Sequence, residues 1–312
     1  MGLSLPTSQR RQIAQERSPK NAVVARLIDS RSLRYGSTME SSPTTTEAAT
    51  TGSATTGATG AGASTVVQGA PVTSKTSYSM TAKTAYAVSD DVAVLRLDDG
   101  KANAVNYDTL AAIDSALDDA EEAADALVIT GRQGRFSAGF DLAVISESPE
   151  AARGLVAAGA RTAMRLYGAR IPVVAACTGH ALAFGAIMLL AADIRIGADV
   201  DAKIGLIEVS IGMPLPVFAV ELARDRLDPL EFTAATSLAK SYSPSGAATA
   251  GYLDKVVPDD ELHDAAMQQA AVLADHVQRR PFALTRLNTR QRTIDHVLST
   301  LDDDMQNFGL LD

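Results

Sequence analysis

Two short glycine-bearing segments offer the chain's clearest route to chemistry. Residues 134–141 read Gly-Arg-Phe-Ser-Ala-Gly-Phe-Asp, and residues 179–185 read Gly-His-Ala-Leu-Ala-Phe-Gly. Each follows an apolar run of strand character, Ala126–Thr130 before the first and Val173–Cys177 before the second. Each therefore predicts a bare backbone turn where a buried strand ends. Two such turns, about 45 residues apart, can aim two peptide N–H groups at one oxygen. That is the geometry of an oxyanion hole, in which losing one donor costs about 3–4 kcal/mol of transition-state stabilisation.

The elements needed to hold these turns follow from the periodicity around them. Residues 84–88 and 92–97 predict a hairpin around Ser89-Asp90-Asp91. Asn106 predicts the cap of a helix carrying Leu110, Ile113 and Leu117 on one face. Strands are expected at 126–130, 173–177, 193–196 and 251–257. Helices are expected at 149–168, 184–192, 216–224, 228–239 and 259–276, and residues 282–308 form an amphipathic, charged segment. Strands alternating with helices imply an α/β layered domain with parallel pairing. The helical C-terminal third is then expected to pack outside it or against a neighbouring subunit.

Composition narrows the partners. The 312 residues are 46% hydrophobic, enough for one large core or two modest ones. Net charge is −9, but residues 1–80 carry eight Lys/Arg against four Asp/Glu, leaving −13 on the remainder. An acidic body argues against nucleic acid or an anionic membrane surface as the main partner. No apolar run approaches the about 20 residues of a membrane span. The lone cysteine, Cys177, excludes an internal disulfide and a cysteine metal cage, and fits a reducing compartment such as the cytoplasm. Residues 36–74 hold no Lys or Arg and are mostly Thr, Ala, Gly and Ser, so they are expected to form a disordered linker. Residues 1–35 leave two readings open, an organellar transit peptide or an unstructured tail. Met80 opens the folded part and could serve as a start.

Six stretches together carry a resemblance. They are Lys101-Ala-Asn-Ala-Val105, Phe136-Ser-Ala-Gly-Phe-Asp-Leu142, Ile171-Pro-Val-Val-Ala-Ala176, Gly179-His-Ala-Leu182, Ala192-Asp-Ile-Arg-Ile196 and Gly251-Tyr-Leu-Asp-Lys-Val-Val257. In order and spacing the chain resembles the crotonase, or enoyl-CoA hydratase/isomerase, superfamily over residues 84–276. The resemblance implies a ClpP/crotonase-like fold of repeated ββα units with a helical C-terminal region. It divides the chain into a disordered or targeting-like extension (1–79), an acyl-CoA-binding core (80–276) and a C-terminal helical segment suited to oligomerisation (277–312). It further implies an acyl-CoA thioester substrate, CoA arriving with the substrate rather than as a cofactor, no metal, and a homotrimer or hexamer.

Carried over position by position, the resemblance assigns the two oxyanion-hole N–H groups to Phe140 and Phe184. Gly139 and Gly185 would let the ligand approach the backbone. Lys101, Ala102 and Ala104 match the segment that lies along the CoA adenine and pantetheine, and Ala138 and Asp141 match positions beside the site. One of the two hydratase carboxylates matches Ile187, which can neither orient nor deprotonate water. The other matches Glu208, flanked by Ile207 and Val209, where burial would raise its pKa and suit it to general-base work. An oxyanion hole with one carboxylate implies a Δ3,Δ2-enoyl-CoA isomerase ahead of a hydratase, with thioester hydrolysis, decarboxylation or a non-catalytic CoA-binding role as further alternatives. After Glu208, Gly212-Met-Pro-Leu-Pro-Val-Phe218 replaces a glycine-rich loop, which would stiffen and narrow the acyl pocket. Ser137 lacks a nucleophile signature, His180 is expected on the pocket wall or in the second turn, and Cys177 is expected only to pack.

Overall fold

The structure is a computed structural model that describes residues 78–80, 84–89 and 91–308. Its main sheet has seven strands in the order β1 (Tyr78–Met80), β2 (Thr84–Ser89), β3 (Val92–Leu97), β5 (Ala126–Thr130), β8 (Val173–Cys177), β10 (Ile194–Ala198) and β12 (Lys255–Val257). The expected hairpin is β2 against β3, antiparallel in register from Thr84↔Leu97 to Ser89↔Val92. From β3 to β12 every pairing is parallel.

Parallel strands must be covered on both faces, which is why these runs are apolar without alternation. On one face lie α1 (Tyr107–Ala123), α3 (Pro149–Tyr167), α4 (Phe184–Ala191) and α5 (Val217–Arg226). On the other, Leu262, Ala266 and Ala270 of α8 (Leu262–His276) pack on Val92, Val128, Val174 and Ile196.

Short strands make the second layer. β6 (Gly134–Ser137), β9 (Gly179–Leu182) and β11 (Ile204–Gly205) form a three-stranded parallel sheet, and β4 (Ala104–Val105) pairs with β7 (Gly139–Phe140). Thus β5 with β6, β8 with β9 and β10 with β11 each send one strand to the large sheet and the next to the small one. The repeated ββα arrangement expected from the resemblance is present.

Several expected boundaries shift. The extension assigned to 1–79 overlaps β1, whose residues 78–79 pair with β2; the disorder or targeting role proposed for 1–77 lies outside the described residues. The helix expected over 228–239 shrinks to α6 (Phe232–Ala235), because Asp228 caps its own turn through Leu230 N–H and Ala239 adopts φ +51°. The strand expected at 251–257 is only β12. Before it lies an unanticipated helix, α7 (Pro244–Ala250), capped by Ser243 and stopped by Gly251 at φ +95°. The C-terminal segment is a single helix, α9 (Arg279–Asn307), which lies along α3 and α5 of its own chain and buries Val297, Leu301 and Met305. The short α2 (Leu142–Ile145) completes the helices.

Candidate active site

The two turns are built against each other, and the missing side chains are what allow it. At Gly139 (φ +93°) a Cβ would lie 2.7 Å from Ala183 Cβ and 3.2 Å from the Phe184 backbone nitrogen. At Gly185 a Cβ would lie 2.4 Å from Ser137 O. Any side chain at either position would drive the turns apart. Ser137 fastens the first turn from inside, accepting from Gly139 N–H (3.2 Å) and donating to Asn103 O (2.8 Å). It is therefore a scaffold residue and not a nucleophile.

The 101–104 segment is stitched to the same turn. Ala138 N–H donates to Ala102 O at 3.0 Å, and Ala104 pairs with Gly139 across β4 and β7. Asn103 is the hub. Its buried amide donates to Leu97, Arg135 and Phe136 carbonyls, while its backbone takes φ +52°. Asp99 accepts the N–H groups of Lys101, Asn103 and Ala104. Partial burial opposes ionisation of Asp99, but those amides and the Arg132 charge hold its pKa below the usual value. The Lys101 side chain is exposed, and its carbonyl accepts from Arg132 Nε at 2.7 Å. Asp141 caps α2 through Ala143 N–H (3.0 Å), which gives it a turn-stabilising job. Neither Asn103 nor Arg132 stood out in the sequence; an Asn in a left-handed conformation carries only a weak local signal.

Strain marks the second turn. Ala183 holds φ +50°, ψ −121° without a side-chain cap on α4, a conformation that costs a non-glycine residue about 1–3 kcal/mol. It leaves Phe184 at the first helical position, where the N–H has no intrahelical acceptor and the helix dipole is positive. The Phe140 and Phe184 rings meet at 4.5 Å between centroids. Gly159 of α3 makes room for them: a Cβ there would fall 2.4 Å from Phe140 Cζ. The other tempting groups are occupied. His180 Nδ1 accepts from Lys203 N–H (3.0 Å), and burial lowers its pKa. Burial pushes the Cys177 thiol up to about 12.

Glu208 comes to the same place by way of β11. Ala183 N–H donates to Gly205 O at 3.0 Å, and Glu208 opens a 3-10 turn three residues later. It is 6% exposed, and its Oε2 has no hydrogen-bond partner among the described residues. Desolvation raises its pKa from 4.5 to about 7 against a smaller opposing effect of the Glu208 and Ile207 backbone amides. Glu208 faces a cavity of about 140 Å³ whose walls include Ala138, Phe140, Ala183 and Ile187. Among the residues lining it, Glu208 alone has a polar side chain. The structure brings residues of both turns and Glu208 to one cavity, whereas Lys101 is exposed and is not among the residues that line it.

Residues 87–310 match the family model for enoyl-CoA hydratase/isomerase. The chain is 29% identical over 187 residues to the human mitochondrial enoyl-CoA delta isomerase 1, covering 58% of this chain and 61% of that protein. The chain therefore spans less than two thirds of that relative's length. Among solved structures, an enoyl-CoA hydratase/isomerase family protein from Pseudomonas syringae aligns with TM-score 0.69 at 41% identity, covering 71% of this chain and 96% of that one. An enoyl-CoA isomerase of Mycobacterium tuberculosis aligns with TM-score 0.69 at 33% identity, covering 73% and 100%. With the sheet order, the paired turns and these matches together, the chain belongs to the enoyl-CoA hydratase/isomerase family, within the crotonase superfamily.

Proposed function

We propose that the chain is a Δ3,Δ2-enoyl-CoA isomerase acting with one base. The observation that carries this reading is that, among the described residues lining the cavity, Glu208 alone has a polar side chain. Hydration ordinarily uses two carboxylates around one water; by the family resemblance the second matches Ile187, a buried apolar residue that lines the cavity. A 1,3-proton shift needs only one. The thioester oxygen of a 3-enoyl-CoA would lie against the N–H groups of Phe140 and Phe184. Glu208 takes a proton from C2, and the electrons pass to that oxygen, giving a dienolate. The protonated Glu208 returns the proton at C4, leaving the double bond between C2 and C3. No electrons or water enter, so the reaction calls for no redox partner. A base with a pKa near neutrality is matched to this reversible transfer, and the amides stabilise charge present only in the intermediate.

The test is to incubate the protein separately with 3-enoyl-CoA and 2-enoyl-CoA and resolve double-bond migration from water addition by mass and absorbance. Migration without a mass gain of 18, lost in Glu208→Gln, is the expected result. Water addition to the 2-enoyl thioester at a comparable rate would overturn it in favour of a hydratase. Binding without turnover would leave a CoA-binding protein.

A further inference from the structure

Part of the cavity's wall comes from residues distant in sequence from both turns. Met213 and Pro216, from the proline-bearing loop after Glu208, line it together with Ile145 of α2 and Phe308, which follows α9. Phe308 is 5% exposed. Its position is fixed from two sides. Leu301 and Met305, two and one helical turns earlier, are buried in the core. Asp304 accepts from Val217 N–H at 2.9 Å, clamping the end of α9 to the start of α5 beside Pro216. Pro214 and Pro216 restrict the facing loop, so this wall has little freedom to retreat.

From this geometry we infer that the pocket takes short acyl chains, of about six carbons, and that Phe308 is the residue that sets the limit. The volume argues for the length: an apolar cavity of about 150 Å³ accommodates a benzene-sized guest of six carbons, and this one measures about 140 Å³. With the thioester beside Ala138, Phe140 and Ala183, as the acyl-CoA reading has it, Phe308 is among the bulky apolar lining residues left to meet the acyl chain, and the one supplied by the end of α9. The inference rests on the acyl-CoA reading proposed above, but binding of saturated thioesters tests it without chemistry.

The experiment titrates the full-length protein with butanoyl-, hexanoyl- and decanoyl-CoA by calorimetry, for the parent and for Phe308→Ala. Affinity should rise by about fourfold per buried methylene up to six carbons, then fall at least tenfold for decanoyl-CoA. In Phe308→Ala the penalty of decanoyl relative to hexanoyl should shrink to less than about threefold, whatever the substitution does to hexanoyl affinity itself. Should the alanine variant fail to fold, Phe308→Leu, which keeps an apolar plug of shorter reach, should show the same relaxation in part. Affinity that climbs steadily from hexanoyl to decanoyl in the parent would overturn the length limit. An equal effect of the substitution on both lengths would overturn the role of Phe308. Failure of every thioester to bind would overturn this inference together with the acyl-CoA reading. A hexanoyl optimum without isomerisation of 3-hexenoyl-CoA would support the inference and remove only the isomerase assignment.

Discussion

Asp193 and Glu208 are both carboxylates held largely out of water, yet their surroundings are opposite. Asp193, at the start of β10, meets Arg286 at 2.7 Å and Arg290 at 2.8 Å from α9, and accepts Val173 N–H at 2.9 Å. The same two guanidiniums donate to Tyr167 O at the end of α3. Every side of that carboxylate is answered, and the group fastens the C-terminal helix to the sheet. Glu208 faces an apolar cavity with one oxygen unanswered. A buried carboxylate ringed by donors holds structure together; one left unanswered has its pKa driven up and becomes able to exchange a proton.

Four substitutions sharpen or break that contrast. The largest stability effect is expected from Asp193→Ala, which leaves two buried guanidiniums without an anion and should cost about 3–5 kcal/mol in denaturant unfolding. A loss below about 1 kcal/mol would mean that the network is ornamental.

Glu208→Gln should act in the opposite direction. The folded-state pKa of Glu208 is raised from 4.5 to about 7. The parent therefore loses stability as pH rises from 4.5 through 7, because the folded state holds the proton more tightly than the unfolded one. Glutamine has no such loss. The variant should gain on the parent across that window by up to about 3 kcal/mol and hold a constant difference above it. A difference that does not change between pH 4 and pH 8 would show that the carboxylate is not desolvated.

Gly159→Ala comes next. Its methyl must displace the Phe140 ring, at an overpacking cost of about 1–3 kcal/mol. It should lower turnover through kcat more than through KM, because the displaced residue carries a proposed transition-state donor. Phe140→Leu added to it should recover stability. The smallest effect is Ala183→Gly, which relieves the positive φ at the second turn and should raise stability by about 1 kcal/mol while slightly lowering turnover.

What could be read from sequence and what could not divides along local and non-local lines. Gly139 and Gly185 announce themselves because only glycine tolerates backbone packed so closely, and Glu208 does so because a carboxylate among isoleucines and valines has few other uses. Ser243-Pro244 followed by Gly251 was a legible cap, first-turn proline and stop, yet the tyrosine and valines after Gly251 suggested strand. Gly159 was half legible, since a glycine inside a helix carries a cost that asks for a packing reason. Phe308 was not legible at all. Nothing within its own segment marks it for a cavity made about 90 residues and more earlier in the chain; only the docking of α9 puts it there. Asn103 was hidden for the same cause, its partners being carbonyls of β3 and β6 rather than neighbours in sequence.

The central claim is that an unanswered, desolvated Glu208 moves the proton. Its most direct test is the pH dependence of kcat/KM for 3-hexenoyl-CoA isomerisation, in the parent and in Glu208→Gln. The parent rate should rise with pH along a single ionisation near 7, and the variant should be at least about 10²-fold slower, with that limb gone. A parent profile flat between pH 5 and pH 8, or a glutamine variant within a few-fold of the parent, would contradict it.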